Sequence, residues 1–417
     1  MKTKTEYSKS HLVLICLLVY FVSYFSRKDF AAVMAGMITG GVIDKTIGGF
    51  IGTALFVSYG VGQLVSGYLG DKIKPSTLML LGLSATALSN LFMPIVGNGT
   101  AMIIIWALNG FAQAMLWPPI VRILSDNLEH EAFVRANLIV TTAAHSATII
   151  LYLYVPLCLS FFDWKTVFFT ATALAALAIA VFVVSLIFVL PKDAIKKPEP
   201  KVKTVQKSDV NYFHLILKAG ILPIFLSIIM MGILRDGIET WLPTLYSEAF
   251  DRDAGESILV SVALPIFSIF SIMSITALHK TRLFNNEAQG SLILFFAAAL
   301  IALPIVFLIT KASLAPRIVC LVLAALVCAC MHGANFLLIS CLPGRFSAFG
   351  RAATTSGFCN AFTYVGAAVS SYGFAFISER FDWRATVISW IAVGALGVLF
   401  SLISLKSYTR FIKETSK

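Results

Sequence analysis

Long polar stretches are almost missing from this chain. Of its 417 residues, 13% are charged and 58% are hydrophobic, and the mean hydropathy is +0.87. A water-soluble protein of this length could not cover so much apolar surface, so a soluble enzyme is excluded. The motifs of energy-coupled and hydrolytic chemistry are missing too. There is no GxxxxGK[ST] phosphate loop, no HExxH, no GxSxG and no cysteine–histidine cluster at metal spacing. Neither ATP-driven chemistry within the chain, nor a metal, nor another cofactor is therefore expected. The seven cysteines, Cys16, Cys158, Cys320, Cys328, Cys330, Cys341 and Cys359, form no CxxC pair and all fall in apolar runs, where they read as small core residues.

What is present is a series of apolar runs, each long enough to cross hydrocarbon, which takes about 20 helical residues. Twelve are expected, at 11–34, 46–69, 75–96, 100–123, 135–159, 165–190, 213–246, 256–279, 290–310, 316–341, 353–377 and 385–406. They are continuous rather than alternating, which excludes a closed barrel. The lysine-rich start resembles a leader, but no cleavage site precedes Arg27 and eleven runs follow, so a retained first helix is expected.

Most of the basic residues lie on one side. Lys2, Lys4 and Lys9 precede the first span, and Lys72 and Lys74 follow the second. The middle connection carries Lys192, Lys196, Lys197, Lys201, Lys203 and Lys207. Lys280, Arg282, Arg345, Arg351 and the tail's Lys406, Arg410, Lys413 and Lys417 continue the pattern. All belong to even-numbered connections or termini, which puts both termini on the cytoplasmic side of a plasma membrane. The net charge of +11 follows from this bias. It implies no nucleic-acid partner, because no basic face is interleaved with stacking aromatics.

The one long polar interior segment divides the chain into residues 1–191, a cytoplasmic linker at 192–212, and residues 213–417. The halves echo each other. Phe162-Asp163-Trp164-Lys165 opens span six and Phe381-Asp382-Trp383-Arg384 opens span twelve. Arg27 and Arg235 stand at similar places in spans one and seven. The expected fold is therefore all-α, with twelve transmembrane helices in two six-helix pseudo-repeats, the pattern of duplicated secondary transporters.

The two arginines are costly. A guanidinium keeps its charge, and at the centre of a bilayer helix it costs about 3 kcal/mol on insertion scales. An anionic ligand would offset that cost. Tyr20, Tyr24 and Arg27 follow an i, i+4, i+7 spacing and share a helical face. They form either a donor stripe or an interfacial belt with Arg27 snorkelling. Glu239, four residues after Arg235, is a candidate intrahelical partner, so the end of span seven is either self-neutralised or exchanges a carboxylate for substrate. His145 is a titratable donor or a structural histidine. His332, Asn335, Tyr364, Asn109 and Gln113 either face a cavity or tie helices together. Trp117-Pro118-Pro119 should bend span four.

Several strings carry a family resemblance. Gly67-Tyr68-Leu69-Gly70-Asp71-Lys72 is similar to the signature loop of the major facilitator superfamily, in which Asp71 and Lys72 would steady a gate. Tyr24-Phe25-Ser26-Arg27-Lys28-Asp29-Phe30, Asn109-Gly110-Phe111-Ala112-Gln113 with Trp117-Pro118-Pro119, and Leu234-Arg235-Asp236-Gly237-Ile238 resemble the organophosphate:phosphate antiporters. That resemblance implies a monomeric exchanger that works by alternating access in a lipid bilayer. It would swap a small phosphorylated anion for inorganic phosphate, bound near mid-membrane. The matching positions are Arg27, Arg235, His145, Tyr20, Tyr24 and Tyr59, with Tyr364 added from the second half. Three positions depart from the family. Gln63 stands for its span-two lysine, Asp29 for an asparagine, and Gly232 for the aromatic before the span-seven arginine. The lost lysine charge keeps a proton-coupled carboxylate symporter open as an alternative, and a transporter-like sensor is a further one.

Overall fold

The computed structural model describes residues 4–70, 73–188, 212–278, 281, 284, 286–311, 313–349 and 351–415. Asp71 and Lys72, and the linker segment 192–211, lie outside them. Among the described residues the chain is helical, with no strand. Eleven helices among the described residues are long and apolar enough to cross a membrane. The twelfth, Leu222–Phe250, has the length but also carries Arg235, Asp236, Glu239 and Glu248. The chain divides into two compact units. The first comprises Met1–Ile47 and Ala54–Val202, the second Gly48–Thr53 and Lys203–Lys417.

The first unit contains α1 (Lys4–Thr39), most of α2 (Lys45–Gly70), α3 (Pro75–Phe92), α4 (Gly99–Gln113), α5 (Trp117–Asn127), α6 (His130–Phe161) and α7 (Trp164–Phe188). The fourth span breaks where sequence chemistry requires it. Asn98 caps α4 by accepting from the Ala101 N–H at 2.7 Å. The helix then stops before Trp117-Pro118-Pro119, whose two prolines lack the N–H that an unbroken ladder needs and suit the first turn of a new helix. Leu12, Ile15, Val19, Met79, Leu83, Leu116, Ile120 and Val140 form the buried core.

The second unit contains α8 (Tyr212–Ala219), α9 (Leu222–Phe250), α10 (Ala254–Val260), α11 (Ala263–Leu278), α12 (Glu287–Leu308), α13 (Leu314–Asn335), α14 (Ala352–Arg380) and α15 (Trp383–Thr415). Span seven does not run unbroken from residue 213. Gly220 adopts φ +64°, and α9 starts afresh with a proline in its first turn. Span eight is divided at Ser261–Val262, between α10 and α11. Span ten ends in a π-turn over Phe336–Cys341 and a 3-10 segment over Leu342–Phe349, a widening that often marks functional positions in helices.

The duplicated FDW strings are helix starts. Asp163 Oδ1 accepts from the Lys165 N–H at 3.1 Å at the head of α7, and Asp382 Oδ1 from the Ala385 N–H at 2.6 Å at the head of α15. Each carboxylate satisfies a donor that the first turn leaves open.

The departure at Gly232 has a packing cause. A Cβ there would run into the backbone carbonyl of Thr363 on α14, and one at Gly366 would meet the backbone of Ile229 and Ile233 on α9. The two helices meet backbone to backbone, which leaves no room for an aromatic. Gly366→Ala is therefore expected to lower stability by about 1–3 kcal/mol, and Gly232→Phe to prevent folding of the second unit. Thermal unfolding in detergent, followed by tryptophan fluorescence, measures both.

Candidate functional site

In the first unit, α1 and α2 bring together a guanidinium and three phenols. Arg27 is only 9% exposed, so it does not snorkel. Its Cζ lies 4.4 Å from the centroid of the Tyr59 ring and 5.6 Å from that of Tyr24. Tyr24 meets Tyr20 edge-on at 5.0 Å, and Tyr20 packs on Trp117 at 4.7 Å. The i, i+4, i+7 spacing thus becomes a continuous aromatic–cation stripe, ending on a tryptophan that the sequence pointed to only as a helix-bending position. A π face attracts a cation by about 0.5–2 kcal/mol but carries no net charge, so these rings position the guanidinium without neutralising it. Gln63 lies one turn beyond Tyr59 on α2 and is half-buried, as is His145 in the middle of α6. Thr142 and Ser146, which flank His145, line a cavity of about 300 Å³ with Leu17 and Phe21 of α1.

The adjoining face of α1 is fixed by polar contacts. Ser23 Oγ donates to Gln113 Oε1 at 2.5 Å, and Gln113 Nε2 donates to Thr86 Oγ1 at 3.3 Å. Asn90 Nδ2 and Asn109 Nδ2 both donate to the Ser26 carbonyl at 3.1 Å. Asn109 and Gln113 therefore tie α4 to α1 and to α3, and this attachment sets the rotation of α1 that turns Arg27 toward Tyr59.

The second unit treats its arginine differently. Arg235 Nη2 contacts Asp236 Oδ2 at 2.7 Å and Nη1 donates to Asn335 Oδ1 at 2.5 Å. The carboxylate partner is thus the adjacent Asp236, whereas Glu239, the candidate from helical spacing, hydrogen-bonds His332 Nε2 at 2.7 Å. Asn335 is the last residue of α13 before the π-turn, and His332 lies one turn earlier. Tyr364, half-buried on α14, and Glu239 are within electrostatic reach of the guanidinium.

Sequence spacing suggested no cysteine–histidine cluster. The fold nevertheless brings Cys328 and His332 of α13 together with Glu239 of α9, their donor atoms all within 4.8 Å of one another. Their i, i+4 spacing on α13 was the available signal; the third member comes from another helix and could not be read from spacing. Two of the three already satisfy each other through the Glu239–His332 bond, and Cys328 Sγ lies 3.9 Å from the Arg235 carbonyl. The trio is thus a polar tie between α9 and α13.

Residues 16–371 match the profile of the Major Facilitator Superfamily. The chain belongs to that family. It is a multi-span membrane protein of a transporter family rather than an enzyme. Within the superfamily, its relatives include proteins named for hexose phosphate transport and glycerol-3-phosphate transport. A probable hexose phosphate transport protein of Chlamydia trachomatis serovar D is 32% identical over 125 residues, 30% of this chain and 27% of that protein. The match therefore spans about a quarter of the length of that chlamydial relative. Two others match nearly end to end. The membrane sensor protein UhpC of Escherichia coli K12 is 20% identical over 94% of this chain and 92% of its own length. The glycerol-3-phosphate transporter of Bacillus subtilis 168 is 24% identical over 96% and 93%. Among solved structures, a point mutant of the nucleoside transporter NupG superposes with a TM-score of 0.77 at 16% identity, covering 95% of this chain and all of that one. The peptide transporter POT in complex with sulfate gives 0.70 at 14% identity, with 99% of each chain covered. These two share the fold.

The Arg235–Asp236 pair leads to a stability prediction. The two side chains are 13% and 6% exposed, so removing one partner strands the other's charge. Arg235→Gln alone is expected to cost about 3–5 kcal/mol, and Arg235→Gln with Asp236→Asn distinctly less. A double-mutant cycle of unfolding in detergent measures the coupling.

Proposed function

We propose that this protein carries a small phosphorylated organic anion, a sugar phosphate or a glycerol phosphate, in exchange for inorganic phosphate by alternating access. Arg27 and Arg235 bind the phosphate charge. The observation that carries this reading is Arg27, a buried permanent cation laid against the faces of Tyr24 and Tyr59. The rings pack against the guanidinium, whose planar fork of N–H donors suits a bidentate oxyanion. Tyr20, Tyr24 and Tyr59 orient it, and His145, Gln63 and Tyr364 supply further hydrogen-bond donors to the anion.

Arg235 has a resident carboxylate in Asp236 and a second contact in Asn335. An arriving phosphate displaces Asp236 from the guanidinium, and its departure lets Asp236 return. This exchange of one anion for another keeps the charge answered through a transport cycle. Asp71 and Lys72 steady the gate. The protein acts as a monomer in the plasma membrane with both termini in the cytoplasm.

A second reading rests on the nearly end-to-end match with a relative named as a membrane sensor. A sensor would bind the same phosphate ester without moving it. Purified protein in phosphate-loaded vesicles separates the two readings, because the exchanger takes up labelled ester against internal phosphate and the sensor binds it without uptake. In the same assay Arg27→Lys is expected to lose at least about 90% of exchange, since a point charge replaces a bidentate fork. Full exchange by that variant would remove Arg27 from anion binding.

A further inference from the structure

One acidic side chain of the first unit takes no part in holding the anion. Asp29 is 0% exposed on α1. Its Oδ1 accepts from the Phe30 N–H at 2.8 Å, and its Oδ2 has no hydrogen-bond partner. Among the described residues no ion pair engages it: Arg27 and Lys28 on its own helix do not reach it, nor do His145 and Tyr152 on α6 or Lys165 on α7. Toward this face of α1, α3 and α4 present the amides of Asn90 and Asn109, which do not titrate. An isolated buried carboxylate in a membrane-spanning helix is among the most expensive groups a fold can hold.

The surroundings of Asp29 are short of positive charge in a specific way. Phe30 N–H, which Asp29 Oδ1 engages, is the helical partner of the Ser26 carbonyl. That carbonyl also receives the side-chain amides of Asn90 and Asn109. Carboxylate, carbonyl and both amides therefore converge on one turn of α1. Four buried oxygens on these residues lack a hydrogen-bond partner: Ser26 Oγ, Asp29 Oδ2, Asn90 Oδ1 and Asn109 Oδ1. All four residues are 0% exposed. Ser26 Oγ is a donor as well as an acceptor, yet it bonds to none of the other three. The four oxygens are therefore not satisfied by one another. Water would satisfy the neutral oxygens and leave the carboxylate charge unanswered. A single positive charge beside Asp29 answers the carboxylate, and the unpartnered oxygens are donors that suit a hard cation.

We propose that Ser26, Asp29, Asn90 and Asn109 form a site for one small monovalent cation, sodium or a proton, that neutralises the Asp29 carboxylate. The site lies two residues from Arg27 along α1, on the face that α3 and α4 hold. Its occupancy therefore steadies the helix that presents Arg27 without contacting the anion.

The test uses the purified full chain in detergent with no phosphate compound present, so its outcome is independent of the anion proposed above. The melting midpoint is followed at fixed ionic strength as sodium chloride replaces choline chloride, and separately across a pH series in choline chloride. Saturating cation is expected to raise the wild-type midpoint by roughly 5 °C. The sodium series responds at constant pH if sodium is the guest. The acid side of the pH series responds, with sodium inert, if the proton is. Asp29→Asn supplies a neutral, nearly isosteric group and is expected to abolish whichever response the wild type shows. Ser26→Ala keeps the carboxylate and removes one oxygen. It is expected to shift the half-saturating concentration by about tenfold, and it decides the matter if Asp29→Asn does not purify. Equal responses of wild type and variant to sodium and to pH, or no wild-type response to either, would overturn the proposal.

Discussion

The structure turns on what answers a permanent positive charge inside a helix that crosses hydrocarbon. The two halves answer it differently. In the first, Arg27 leans on the faces of Tyr24 and Tyr59, which attract it without cancelling it. In the second, Arg235 is held by Asp236 and Asn335. The duplicated arrangement therefore supplies one guanidinium laid on aromatic rings and one paired with the carboxylate beside it. A ligand of the first guanidinium must present acceptors to its N–H donors, and a ligand of the second must displace a carboxylate. A compact oxyanion with several acceptor oxygens can do both, and a neutral solute cannot replace the displaced charge.

The rest of each unit serves these positions. Asn90, Asn109 and Gln113 fix the rotation of α1, and the broken fourth span at Trp117-Pro118-Pro119 places Trp117 under Tyr20. Close backbone packing at Gly232 and Gly366 holds α9 on α14, and the Glu239–His332 bond holds α9 on α13 one turn beyond Arg235. The widening of α13 begins just after Asn335, the residue whose side-chain oxygen accepts from Arg235.

Much of this was legible in the sequence because membrane insertion writes strong one-dimensional signals. Apolar runs, the lysine-rich linker and the repeated FDW helix starts displayed the spans and the duplication, and the i, i+4, i+7 spacing placed Tyr20, Tyr24 and Arg27 on one face. What escaped depended on neighbours distant in sequence. Helical spacing favoured Glu239 as the partner of Arg235, but the adjacent Asp236 reaches the guanidinium while His332, 93 residues away, takes Glu239. The aromatic missing at Gly232 is explained only by the carbonyl of Thr363. Asp29 stood out in the sequence only as a departure from the family's asparagine, and its burial could be seen only once α3 and α4 were in place. Breaks inside spans seven and eight were hidden because Gly220 and the Ser261–Val262 turn sit within apolar runs.

The most direct measurement is a ligand panel read by melting midpoint, on the wild type and on Arg27→Gln and Arg235→Gln. Ligands that bind only the folded state raise the midpoint by linkage. Inorganic phosphate, glycerol-3-phosphate and hexose phosphates are expected to stabilise the wild type, sugar acids without phosphate are not, and both substitutions are expected to remove the effect. Stabilisation by sugar acids alone, or phosphate-ester stabilisation that survives in both variants, would contradict the pairing of these two arginines around a phosphate.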